Sequence, residues 1–142
     1  MRILLAVDGS KPSMDAVEFL IEHTGWLKET PELDLVTVHL PVPKLPGMGA
    51  AVGKAQIEKY YQEEGEKQLA AARRKLDAAG VRYEQHVLVG SVAESLVKHA
   101  EEKRCDLICI GTRGHSELGK ALVGSTASKV VHISDIPVLL VK

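Results

Sequence analysis

The stretch GTRGHSELGKALVGST, residues 111–126, joins an apolar run, CDLICI (105–110), to a helical pattern carrying Ala127, Val130 and Val131. A strand that feeds a glycine-rich loop and then a helix is the working half of a β-α unit. Such a loop holds phosphate in one of two ways. The first is a P-loop, because Gly114 to Lys120 matches the pattern GxxxxGK. That pattern needs a Ser or Thr next, whose hydroxyl holds magnesium, and Ala121 stands there instead. Its lysine should also open a helix at once, whereas Gly124 interrupts the segment four residues later. The P-loop match is a coincidence of spacing.

The second way uses Gly111, Gly114 and Gly124. Gly111 ends the strand, where a missing side chain lets backbone approach a ligand. Gly124 and Ser125 open the last helix, whose free N–H groups and positive dipole end suit an anion. Arg113 adds a fixed positive charge, and Ser125 and Thr126 add hydroxyl donors. The spacing GxxG, nine residues, then GS describes a phosphate clamp closed by two separate pieces of chain. It equally describes a glycine-capped turn with a serine N-cap, and spacing alone leaves both open.

Outward from this loop the chain alternates strand and helix. The strand candidates are RILLAV (2–7), LDLVTVH (33–39), RYEQHVLV (82–89), CDLICI (105–110) and IPVLLV (136–141). Most are apolar on both faces, as strands covered on both sides must be. Between them, Ala16/Val17 and Leu20/Ile21 share one face of a first helix. A long second helix carries the stripe Ile57, Tyr61, Gly65, Leu69, Ala72, Leu76 and Ala79, and Gly65 within it predicts a close backbone approach. A third opens at Ser91 with Glu94 at capping-box spacing and buries Val92, Leu96, Val97 and Ala100. This order predicts a parallel sheet with right-handed crossovers, a doubly wound α/β domain. The Pro- and Gly-rich segment 41–53 follows the second strand and is expected near the carboxyl edge of the sheet, where such folds bind ligands. With no repeat or linker in sight, one domain spanning 1–142 is expected.

Composition excludes several function classes. The 142 residues are 45% hydrophobic and 26% charged, with 18 basic residues against 19 acidic ones and a net charge of −1. That balance attracts neither nucleic acid nor an acidic membrane. MRILLAV is too short for a signal-peptide core, and no apolar run approaches the roughly 18 residues of a membrane span. A cytoplasmic location is expected. Cys105 and Cys109, four residues apart along a strand, would lie roughly 13 Å apart. A disulfide needs less than about 7 Å, so two buried, reduced thiols are expected. Six histidines at 23, 39, 86, 99, 115 and 132 show no spacing that suggests zinc. His115, Ser116 and Glu117, adjacent in sequence, read as a polar loop rather than a catalytic triad.

The motifs ILLAVDGS, SMDAVEFL, GSVAESLVKHA, CDLICIGTRG and GSTASKVVHISDIPVLLVK resemble the universal stress protein (UspA) family, in its ATP-binding branch, over essentially the whole chain. The resemblance implies a sheet ordered 3-2-1-4-5, with Asp8 and Gly111 flanking one crevice. Carried over by position, it puts Asp8 at the nucleoside end of ATP, with Ala6 and Val7 lining the base and Val38 reading the adenine edge through its backbone. Gly111, Arg113, Gly114, Gly124, Ser125 and Thr126 would hold ribose and phosphates. Magnesium would come with the phosphates rather than from protein ligands. Ala127 stands where ATP binders of the family often carry a hydroxyl, which removes one phosphate contact. Asp8 also reads simply as the start of the tight turn Asp8-Gly9-Ser10. The family further implies a homodimer joined through the C-terminal strand, 136–141.

The sequence offers no assembled set of groups for fast ATP hydrolysis. A nucleotide-dependent stress or signalling module with an unidentified regulated partner is therefore the leading expectation. A slow ATPase or a self-phosphorylating enzyme modified at Ser116, Ser125 or Thr126 is the second. A dimerisation module that binds no nucleotide is the third, and the intact glycines argue against it.

Overall fold

The computed structural model describes residues 1–42, 53–112 and 123–142. Strand and helix alternate: β1 (Arg2–Ala6), α1 (Lys11–His23), β2 (Glu32–His39), α2 (Lys54–Ala78), β3 (Tyr83–Val89), α3 (Val92–Glu102), β4 (Leu107–Gly111), α4 (Ser125–Ile133) and β5 (Val138–Val141). A short 3-10 turn, Thr24–Trp26, follows α1. The five strands form one parallel sheet in the order β3-β2-β1-β4-β5. The predicted doubly wound architecture is the observed one.

Strand alternation divides the core in two. Ile3, Leu5, Leu33, Leu35 and Cys109 point to the face covered by α1 and α2, where Val17, Leu20, Leu69 and Leu76 meet them. Leu4, Ala6, Val36, Ile108 and Ile110 point to the other face, under Leu96, Val97, Ala100, Ala127 and Val130 of α3 and α4. Burial on both faces explains why the strands carry little polar alternation. Gly65 makes the close approach its sequence position predicted: a Cβ there would lie 2.5 Å from a methyl of Val87 on β3. The stripe of α2 is buried from Gly65 to Leu76, while Ala79, past the helix end, is exposed.

Three local expectations change. Ser91 is the N-cap of α3, but its side chain makes no capping hydrogen bond, and Glu94 pairs with Lys129 of α4 instead. Val131 is exposed, so α4 buries Ala127 and Val130 only. Cys105 precedes β4 and packs under α3, whereas Cys109 packs under α1 on the opposite face. Both thiols are free and buried, as expected. Arg104, with φ 54, turns the chain after α3, which is why Cys105 does not continue the strand's alternation. No helix among the described residues is long and apolar enough to cross a membrane.

Candidate functional site

Because β1 lies between β2 and β4, the chain runs to one side of β1 through α1 and to the other through α3. The two strands stay paired up to Ala6 and Ile110, while the connections that leave their carboxyl ends run in opposite directions, which in doubly wound sheets opens a crevice. A cleft of about 370 Å³ lies there, within the usual range for small-molecule sites. Its apolar lining comes from Val36 and Val38 of β2, Val92 and Leu96 of α3, and Ile110 of β4. Its polar lining comes from Asp8, Ser10, Ser13, Ser125 and Thr126.

The chain segments that meet at the mouth are held by short-range chemistry. After β1, Gly9 takes φ +78, a left-handed turn that suits glycine. The backbone N–H of Ser10 donates to Asp8 Oδ1 at 2.9 Å, and Ser10 then caps α1 by accepting from the N–H of Ser13. Ser13 Oγ donates back to the Ser10 carbonyl at 2.8 Å, so this first turn is knitted into one unit. Across the cleft, the N–H of Gly124 donates to the carbonyl of Thr112, tying the start of α4 to the end of β4. Gly124 is the N-cap of α4 and no side chain caps that end. The first turn of α4, Ser125 to Ala127, lines the cleft with no side chain capping its N–H groups. The hydrogen bond from Lys129 holds the Glu94 carboxyl below its usual range and fixes α4 against α3.

Of the residues singled out in the sequence, Ala6, Val7, Asp8, Val38, Gly111, Gly124, Ser125 and Thr126 all line this one cleft. Arg113 and Gly114 lie outside the described residues, as do His115, Ser116, Glu117, Lys120 and segment 43–52. The helix that follows, α4, has Gly124 as its N-cap and Ser125 as its first residue. Gly111 has a packing role as well. A Cβ there would lie 2.3 Å from the carbonyl oxygen of Pro12, so its missing side chain first of all lets the start of α1 pack on β4. Ala127 is 2% exposed and belongs to the cleft wall. Sequence reasoning missed Ser10 and Ser13; the available signal was their place in the first turn of a helix that starts beside Asp8.

The fold and the cleft define a doubly wound α/β protein with a binding crevice at the point where strand order reverses. The sequence pattern of the universal stress protein family matches residues 1–142, and the chain belongs to that family. A universal stress protein of Methanocaldococcus jannaschii is 29% identical over 142 residues, covering 99% of this chain and 81% of the relative. The universal stress protein A homolog 1 of Coxiella burnetii is 30% identical over 139 residues, covering 98% and 94%. Among solved structures, a universal stress protein from Archaeoglobus fulgidus superposes with a TM-score of 0.72 at 28% identity, covering 100% of this chain and 98% of that one. Two more distant chains share the fold and were solved with nucleotides. One, from Arabidopsis thaliana with AMP bound, has a TM-score of 0.69 at 17% identity, covering 100% and 91%. The other, a universal stress protein in complex with cAMP, has a TM-score of 0.66 at 24% identity, covering 100% and 96%.

Proposed function

We propose that the cleft between β1 and β4 binds an adenine nucleotide, ATP foremost, and that the protein acts as a nucleotide-dependent stress or signalling module. The observation that carries this reading is the mixed lining of the cleft: apolar side chains of β2, α3 and β4 share it with the first turn of a helix that no side chain caps. A base takes the inner wall beside Ala6, Val7 and Val38, with Asp8 toward the ribose. The phosphates take the first turn of α4, at Gly124, Ser125 and Thr126, with Gly111 beneath. Arg113 and Gly114, by their place in the sequence, complete the clamp. Relatives of the same fold seen with AMP and cAMP support an adenine ligand. Asp8 is the single carboxylate among the described residues that line the cleft, which fits magnesium carried by the phosphates rather than by a protein cage.

The test is Gly124→Val. Its φ of −56 and ψ of 152 are open to residues other than glycine, so the substitution asks for no left-handed backbone there. We expect folding to survive and ATP affinity, read by calorimetric titration, to fall below detection, while Lys120→Ala binds ATP within a few-fold of the parent. Unchanged affinity in Gly124→Val refutes the assignment, and loss confined to Lys120→Ala restores the P-loop. A slow ATPase or self-phosphorylating enzyme is the second reading, favoured by the serine and threonine hydroxyls at the phosphate end. Incubation with γ-labelled ATP separates the two: a binder returns ATP intact, whereas the enzyme yields free phosphate or labelled protein.

A further inference from the structure

At the opposite end of the same sheet face lies a polar cluster that the cleft does not use. Asp34 of β2 is 0% exposed and sits among core residues. Its Oδ1 accepts from Arg2 Nη2 at 2.9 Å and lies 2.8 Å from His86 Nε2 of β3. Its Oδ2 accepts from Arg2 Nε and, at 3.7 Å, from the thiol of Cys105. His99 of α3 stacks obliquely on His86, with ring centroids 4.5 Å apart. His99 is 7% exposed, and its Nε2 has no hydrogen-bond partner. A buried imidazole nitrogen without a partner, amid polar groups, needs a physical explanation. One donor atom each from Asp34, His86 and His99 lie within 4.8 Å of one another.

We propose that Asp34, His86 and His99 form a binding site for a zinc-class divalent transition-metal ion, with Cys105 as the adjacent fourth donor. Bonds of about 2 Å place tetrahedral donor pairs about 3.3 Å apart, so modest side-chain rotation closes the set. Two imidazoles, a carboxylate and a thiol suit zinc or cobalt, whereas magnesium and calcium prefer all-oxygen sites. The three ligands come from β2, β3 and α3, elements already fixed by the core, so the site needs no loop to order. Arg2 holds the same Asp34 oxygen that the ion takes. Its guanidinium is also held by Glu32 at 3.3 Å and Glu84 at 3.0 Å, so Nη2 can release Oδ1 to the ion and stay on Glu84 while Nε keeps Oδ2. An orienting partner on a ligating carboxylate is the usual arrangement. The entering ion displaces the proton between His86 Nε2 and Asp34 Oδ1, and the Cys105 proton when the thiolate joins, so binding releases protons to solvent.

The experiment uses the full chain stripped with a chelator and titrated with Zn²⁺ against a chromophoric competitor, then with Co²⁺ followed by visible absorption. We expect one equivalent bound, with the intense visible bands of tetrahedral cobalt and a thiolate charge-transfer band lost in Cys105→Ser. His99→Gln and His86→Gln should each weaken binding by at least about 10-fold. Their circular dichroism should stay that of the folded parent, and His132→Gln, on the exposed side of α4, should change nothing. If His99→Gln does not fold, the more exposed His86→Gln decides alone. Binding weaker than about 1 µM in the parent overturns the site. So does affinity that the His86 and His99 variants leave unchanged, because the ion is then on surface groups.

Discussion

Gly111 illustrates how one residue can be read correctly for position and incompletely for cause. The absent Cβ leaves room for the Pro12 carbonyl, so the first turn of α1 packs directly on the end of β4. Nothing in the strand's own residues announces that contact, since it depends on a helix nearly a hundred positions earlier in the chain. Cys109, by contrast, was legible from its apolar surroundings alone. Burial pushes its thiol from an ordinary 9.0 up to about 12. The unfolded chain therefore loses this proton at a lower pH than the folded one. Its contribution to stability is whole below about pH 9 and is lost as pH rises toward 12, at about 1.4 kcal/mol per pH unit. Urea unfolding at stepped pH should show a steeper alkaline fall for the parent than for Cys109→Ala. Parallel falls would mean that the thiol titrates normally.

Among the elements, α2 and β3 offer the sharpest packing test. A methyl at Gly65 would meet both γ-carbons of Val87, at 2.5 and 2.6 Å, and a β-branched side chain on a paired strand has little freedom to turn away. Overpacking of this kind costs about 1–3 kcal/mol, and alanine's gain in helix propensity, about 1 kcal/mol, offsets only part of it. Gly65→Ala should lower the urea midpoint, and an unchanged or raised midpoint would show that the two elements can move apart. The elements themselves were legible because two physical signals were strong: strands apolar on both faces, and stripes at helical spacing. Their ends were less so. The start of β4 depends on how Arg104 turns the chain, and the cap of α3 on whether Glu94 reaches back to Ser91 or across to Lys129. Both outcomes are tertiary, and no local pattern encodes them.

For the whole molecule, the order β3-β2-β1-β4-β5 does most to create function, because it sets the crevice between β1 and β4. Residue patterns implied a parallel sheet, whereas the order itself came from family resemblance, since periodicity does not record which strands are neighbours. The apolar side of the cleft was partly visible in Ala6, Val7 and Val38, while Leu96 and Val92 were read only as core. Asp34, His86 and His99 lie far apart in sequence, and only the packing of α3 on β2 and β3 joins them. Order also leaves β5 at the edge of the sheet, with Val131 and Ile133 exposed on the neighbouring α4. An apolar edge strand is a liability unless covered, and we propose that a second copy covers it. Light scattering at micromolar concentration should return twice the mass of one chain, and a monomer mass would refute the pairing. The most direct test of the account as a whole is to denature the purified protein, identify any released small molecule by mass spectrometry, and titrate the refolded chain with Mg·ATP. We predict an adenine nucleotide among the released molecules, or one equivalent of ATP bound on titration. No release and no binding at millimolar Mg·ATP would contradict the nucleotide cleft outright.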